Sequence, residues 1–62
     1  MYRIMCLTGN PMTDDWLYDL AGHIAELDTE REAENLAFAL FAEEFELYQI
    51  MKRVGRGHYV PA

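Results

Sequence analysis

Three side chains in this chain of 62 residues could act as nucleophile or proton carrier: Cys6, His23 and His58. A catalytic cysteine needs a base within reach and surroundings that favour its thiolate. Cys6 instead falls in the apolar run Tyr2–Thr8, read as a strand, where a free cysteine behaves as a small hydrophobe. His23 lies beside a turn and reads as an exposed or hydrogen-bonded hairpin residue. The carboxylate groups Asp14-Asp15 and Glu43-Glu44-Glu46 could serve as acid–base pairs, but acid–base work needs an apolar wall to shift a pKa. Both groups fall at solvated ends of elements and lack the loop spacing of a calcium site. One cysteine and two distant histidines leave a structural zinc short of ligands. Gly55-Arg56-Gly57 is too short to cradle a phosphate, and no helix follows it. The reading is non-enzymatic, with no catalytic residue, no cofactor and no metal.

Recognition is the chemistry that the composition favours. Eleven carboxylates against five basic residues give a net charge of −6. Direct binding of nucleic acid draws most of its affinity from phosphate neutralisation, which this balance opposes. An acidic surface steers a protein toward basic partners, or simply keeps it soluble. Trp16, Tyr18, Phe38 and Tyr59 are more aromatic surface than one small core need absorb, and exposed aromatics are frequent interface anchors. Asp14, Asp15, Glu34, Glu43, Glu44 and Glu46 would flank such a surface. The partner-binding set is therefore Asp14, Asp15, Trp16, Glu34, Phe38, Glu43, Glu44, Glu46 and Tyr59. The competing reading places Trp16 and Tyr18 in the core and the carboxylates on a solvated helix face.

The elements that position these residues follow from periodicity. Tyr2–Thr8 reads as a strand rich in apolar and aromatic residues, ended by Gly9-Asn10-Pro11. Trp16-Leu17-Tyr18 resumes an extended pattern. Asp19-Leu20-Ala21-Gly22 has the Asp-first, Gly-last form of a type I turn, and His23–Leu27 would return as the second strand of a hairpin. Thr29 and Glu32 have capping-box spacing: the hydroxyl would accept from the Glu32 N–H, and the carboxylate would reach back to the N–H of Thr29. Ala33, Leu36, Ala37, Leu40 and Phe41 recur at the spacing of one buried helix face, with Phe38 off its centre. Phe45–Val54 reads as a final, central strand paired with the first, and residues 55–62 as a loose tail.

This predicts one α+β domain over residues 1–62, a small antiparallel sheet of three to four strands with one helix packed on it. The alternative is an all-α helical hairpin, with Leu17, Leu20, Ala21, Ile24 and Leu27 on one helix and Ala33, Leu36, Leu40, Leu47, Met51 and Val54 on the other. Gly22 in mid-helix would cost about 1 kcal/mol relative to Ala. The β-branched and aromatic residues also gather near the chain ends, where a sheet would pair them. A chain this size buries only about 60% of its unfolded surface, and a single cysteine denies it an internal disulfide. The absence of disulfides suits a reducing compartment, the cytoplasm. No apolar run approaches the ~20 residues of a membrane span. Met1–Leu7 is too short in its apolar part for a signal peptide.

The run Gly22, Ile24, Ala25, Leu27, Asp28-Thr29, Glu32-Ala33, Leu36-Ala37 resembles a pattern in very small strand–strand–helix–strand proteins of bacteriophages and mobile elements. It covers about a quarter of the chain. The resemblance implies an accessory protein without catalytic residues, of a class in which several members bind and inhibit a host enzyme. It supplies no functional residues, and it places the chain in the host cytoplasm. With the acidic charge, the leading expectation is an inhibitor that docks on the basic surface of a host nucleic-acid machine: a CRISPR effector, RNA polymerase or nuclease. Its carboxylates would imitate a DNA backbone, without binding nucleic acid or membrane directly. The second expectation is a self-associating module forming a homodimer, and the third a small enzyme or nucleotide binder.

Overall fold

The computed structural model describes all residues, 1–62, and has an α+β architecture: a curled four-stranded antiparallel sheet with one helix against one face. The strands are β1 (Tyr2–Cys6), β2 (Asp15–Trp16), β3 (Tyr48–Gly55) and β4 (His58–Pro61), in the order β2-β1-β3-β4. The helix, α1 (Glu30–Phe41), crosses between β2 and β3 in the chain. β1 and β3 are the central pair, with Ile4 opposite Ile50 and Cys6 opposite Tyr48. Because side chains alternate across a strand, this register puts Ile4 and Ile50 on the helix face and Arg3, Met5, Gln49 and Met51 on the other.

The capping box starts the helix with one partner changed. The Glu32 N–H donates to Thr29 Oγ1 at 3.1 Å, but the Glu32 carboxylate accepts from the N–H of Asp28, at 3.3 Å, rather than from that of Thr29. Ile4, Ala33 and Ala37 are the three fully buried residues. Alanine leaves no bulk between helix and sheet, so the backbones approach along that line, while Tyr2, Leu17, Leu27, Leu36, Phe41, Tyr48 and Ile50 pack around it. Leu40, expected in the buried stripe, is 53% exposed. The close approach centres on the alanine line, and the bulkier residues beside it straddle the sheet instead of entering it.

Two expected elements are corrected. The hairpin from Trp16 to Leu27 forms only as an excursion, with Tyr18 bridging Ile24 and the Ala25 N–H donating to the Leu17 carbonyl. Its turn is as expected: the Gly22 N–H reaches the Asp19 carbonyl, with Gly22 at φ 86°. On either side of the excursion the chain pairs with β1 rather than with itself, Leu17 donating to the Ile4 carbonyl and Leu27 exchanging two hydrogen bonds with Tyr2. The unpaired edge of β1 offers both segments backbone partners that a two-stranded hairpin could not.

The second correction concerns residues 55–62, read as a tail. Arg56-Gly57 is a turn, and His58–Pro61 adds β4 to β3, with a register shift between Arg53 and Gly55. Gly57 takes φ 67°, which a turn can demand of its third residue. Pro61 is tolerated because β4 is an edge strand.

Candidate functional site

The helix phase that buries Ala33 and Ala37 turns Glu30, Glu34 and Phe38, spaced by four residues, onto one flank of α1. The helix ends where Ala42 adopts a left-handed φ of 54° and its N–H returns to the Phe38 carbonyl at 2.8 Å. The chain then reverses through Glu43 and Glu44 into a short 3₁₀ turn, Phe45–Leu47, that leads directly into β3. This reversal sets Phe45 against Tyr48, with ring centroids 6.0 Å apart, while Phe41 stacks on Tyr48 at 5.4 Å.

Between the helix flank and β3 lies an open groove of about 510 Å³. Phe38, Phe45, Tyr48 and Ile50 give it apolar walls, Glu30 and Glu34 supply carboxylates, and no cationic side chain lines it. Phe38 and Phe45 are 59% and 65% exposed. The arrangement can receive an apolar side chain and a cation together.

The residues expected at a binding surface fall in separate places. Glu34 and Phe38 share the groove. Glu43, Glu44 and Glu46 lie exposed on the connection from α1 to β3, around Phe45. Asp14 is a loop brace, accepting from the backbone N–H and the hydroxyl of Thr8 at 2.7 and 2.9 Å. Asp15 accepts from the N–H of its neighbour Trp16.

Trp16 and Tyr59 meet on the face away from the helix, edge to face at 5.5 Å. They belong to the two outermost strands, which a flat sheet would hold about 14 Å apart; the curl brings them together. The Arg3 guanidinium lies 4.2 Å from the Tyr59 ring centre and 5.2 Å from that of Trp16. Glu26 completes the cluster, accepting from Arg3 Nε at 2.6 Å and from the Tyr59 hydroxyl at 3.2 Å. These partners satisfy one another and tie the excursion to the sheet, so the cluster works as a clasp.

Sequence reasoning missed Glu30 and Phe45 as groove residues and Arg3 and Glu26 as clasp residues. Glu30 was legible, being four residues before Glu34. Phe45 reaches the groove only through the chain reversal, which no local pattern announces.

The residues that could do covalent chemistry are scattered. Burial pushes the Cys6 thiol pKa up, and the Asp15 carboxylate adds to the effect, which disfavours the thiolate. His23 and His58 are exposed. No three His, Cys, Asp or Glu side chains converge as a metal-binding group. No family model, curated protein or solved structure matches the chain.

Proposed function

We propose that this is a non-catalytic protein that binds the basic surface of a partner protein through the groove between α1 and β3. The observation that carries this reading is the pairing of exposed Phe38 and Phe45 with Glu30 and Glu34 in a groove free of cations. Desolvated aromatics supply affinity, and carboxylates supply encounter rate and orientation. Basic faces of sufficient strength are characteristic of nucleic-acid-binding proteins. Occupying such a face would block it, so the expected consequence is inhibition of a nucleic-acid machine. No helix of the chain is long and apolar enough to cross a membrane.

The test is a binding panel of purified RNA polymerase core, a CRISPR effector and a nuclease, with an acidic globular protein as control. At least one basic protein should bind, weakening tenfold or more between 50 and 300 mM salt, on the order expected for a contact of several charges. The double reversal Glu30→Lys with Glu34→Lys should abolish that binding. Silence across the panel, or indifference to the reversal, overturns the proposal.

A second reading, self-association, draws on the unpaired outer edge of β4. That edge is four residues long and carries Pro61, both of which blunt strand pairing. Sedimentation of the protein alone separates the readings, with a monomer expected.

A further inference from the structure

We infer that the groove reads one extended segment of its partner in which basic side chains and an apolar side chain alternate with outward-facing residues: basic-x-basic-x-apolar. This rests on the proposed function and specifies its ligand.

Glu30, Glu34 and Phe38 stand in single file along one helix flank, each four residues from the next. At 1.5 Å per residue, neighbouring positions are about 6 Å apart. An extended chain returns a side chain to the same face every two residues, about 6.6 Å. The two repeats match closely over three positions. Two cations of the partner would meet Glu30 and Glu34, and the apolar side chain two residues on would reach Phe38, with Phe45 and Tyr48 closing that end.

The dimensions favour a strand-like occupant over a helix. A helix with its side chains is about 10–12 Å across, so the length of it that faces three positions fills roughly 900 Å³ or more. The groove, at about 510 Å³, is the size that holds a drug-sized ligand, or a few side chains of an extended segment. Charge selects the cations: two carboxylates and no basic group line the groove. A neutral or acidic segment would leave both carboxylates to be desolvated without a partner, which costs affinity.

Fluorescence anisotropy with two labelled peptides of equal composition tests the inference. One carries Lys-Thr-Lys-Thr-Leu between Gly-Ser flanks; the other carries Lys-Lys-Thr-Leu-Thr, which puts its lysines on opposite faces. The alternating peptide should bind at least tenfold tighter at 50 mM salt. Amide shifts on binding should cluster at Glu34, Phe38, Phe45 and Tyr48. Glu34→Gln should weaken the alternating peptide severalfold, and Phe38→Ala should remove the advantage of leucine over alanine at its last position.

Equal affinity for the two peptides overturns the inference, as does indifference to Glu34→Gln. If neither peptide binds while a basic protein of the panel does, the ordered reading fails and the broader proposal stands. If nothing basic binds at all, both fail.

Discussion

Arg3 shows how much one residue's surroundings decide. In the sequence it is an isolated cation in an apolar run; in the fold its planar head is stacked on Tyr59 and bonded to Glu26. Stacking and a directed Nε–H bond are what a guanidinium offers and an ammonium does not. Cys6 is the complementary case: burial and the Asp15 carboxylate raise its thiol pKa. For an acid whose pKa is higher in the fold than in the unfolded chain, the native state binds the extra proton. Its contribution to stability is therefore fully present below the ordinary thiol pKa and is lost as pH rises from there through the raised value of the fold. At pH 8.5, iodoacetamide should modify native Cys6 severalfold more slowly than the urea-unfolded chain. Equal rates would show that the thiol is not shielded.

At the scale of elements, the best-specified junction is the start of α1. Thr29 and Glu32 announce it in the sequence, and Thr29 does accept from the Glu32 N–H. Thr29→Ala should cost about 1 kcal/mol in urea denaturation, and Thr29→Asn should recover most of it. An unchanged midpoint for Thr29→Ala would mean that tertiary packing alone holds the first turn.

β4 shows the opposite. Gly57 and the Tyr59-Val60 pair are hairpin signals, yet Pro61 and the run Gly-Arg-Gly read equally well as a tail. What makes the segment a strand is the edge of β3 just across the turn, with Arg53 opposite Tyr59 and Met51 opposite Pro61, so the pairing is local and the turn residues were its signal. The excursion from Tyr18 to Glu26 differs from a plain hairpin for another reason: β1, remote in sequence, takes its flanks as partners.

The whole molecule has little core to spare. Only Ile4, Ala33 and Ala37 are fully buried, and the exposed surface of 4525 Å² exceeds the roughly 4,100 Å² usual for a monomer of this mass. Stability of about 0.05–0.15 kcal/mol per residue would give roughly 3–9 kcal/mol in all. Ile4→Ala should remove about 2–5 kcal/mol of it. We expect that variant to lose cooperative unfolding or to melt far earlier by circular dichroism. Phe38→Ala should change stability by no more than about 0.5 kcal/mol, because the ring is mostly exposed. That contrast separates residues that hold the fold from those offered to a partner, and a large loss on Phe38→Ala would contradict the assignment.

The sequence by itself favoured the α+β class and determined the helix with its cap and the acidic balance. Each is set by short-range pattern or by composition: periods of two and of 3.6 residues, side chains that complete a backbone turn, and a count of charges. The tertiary structure alone decided which aromatics meet. It paired Trp16 with Tyr59 by curling the sheet, and by reversing the chain at Ala42 it set Phe45 against Tyr48, in the groove that Phe38 also lines. Those contacts depend on how far strands twist and where a chain turns back, and these are fixed by packing between residues distant in sequence.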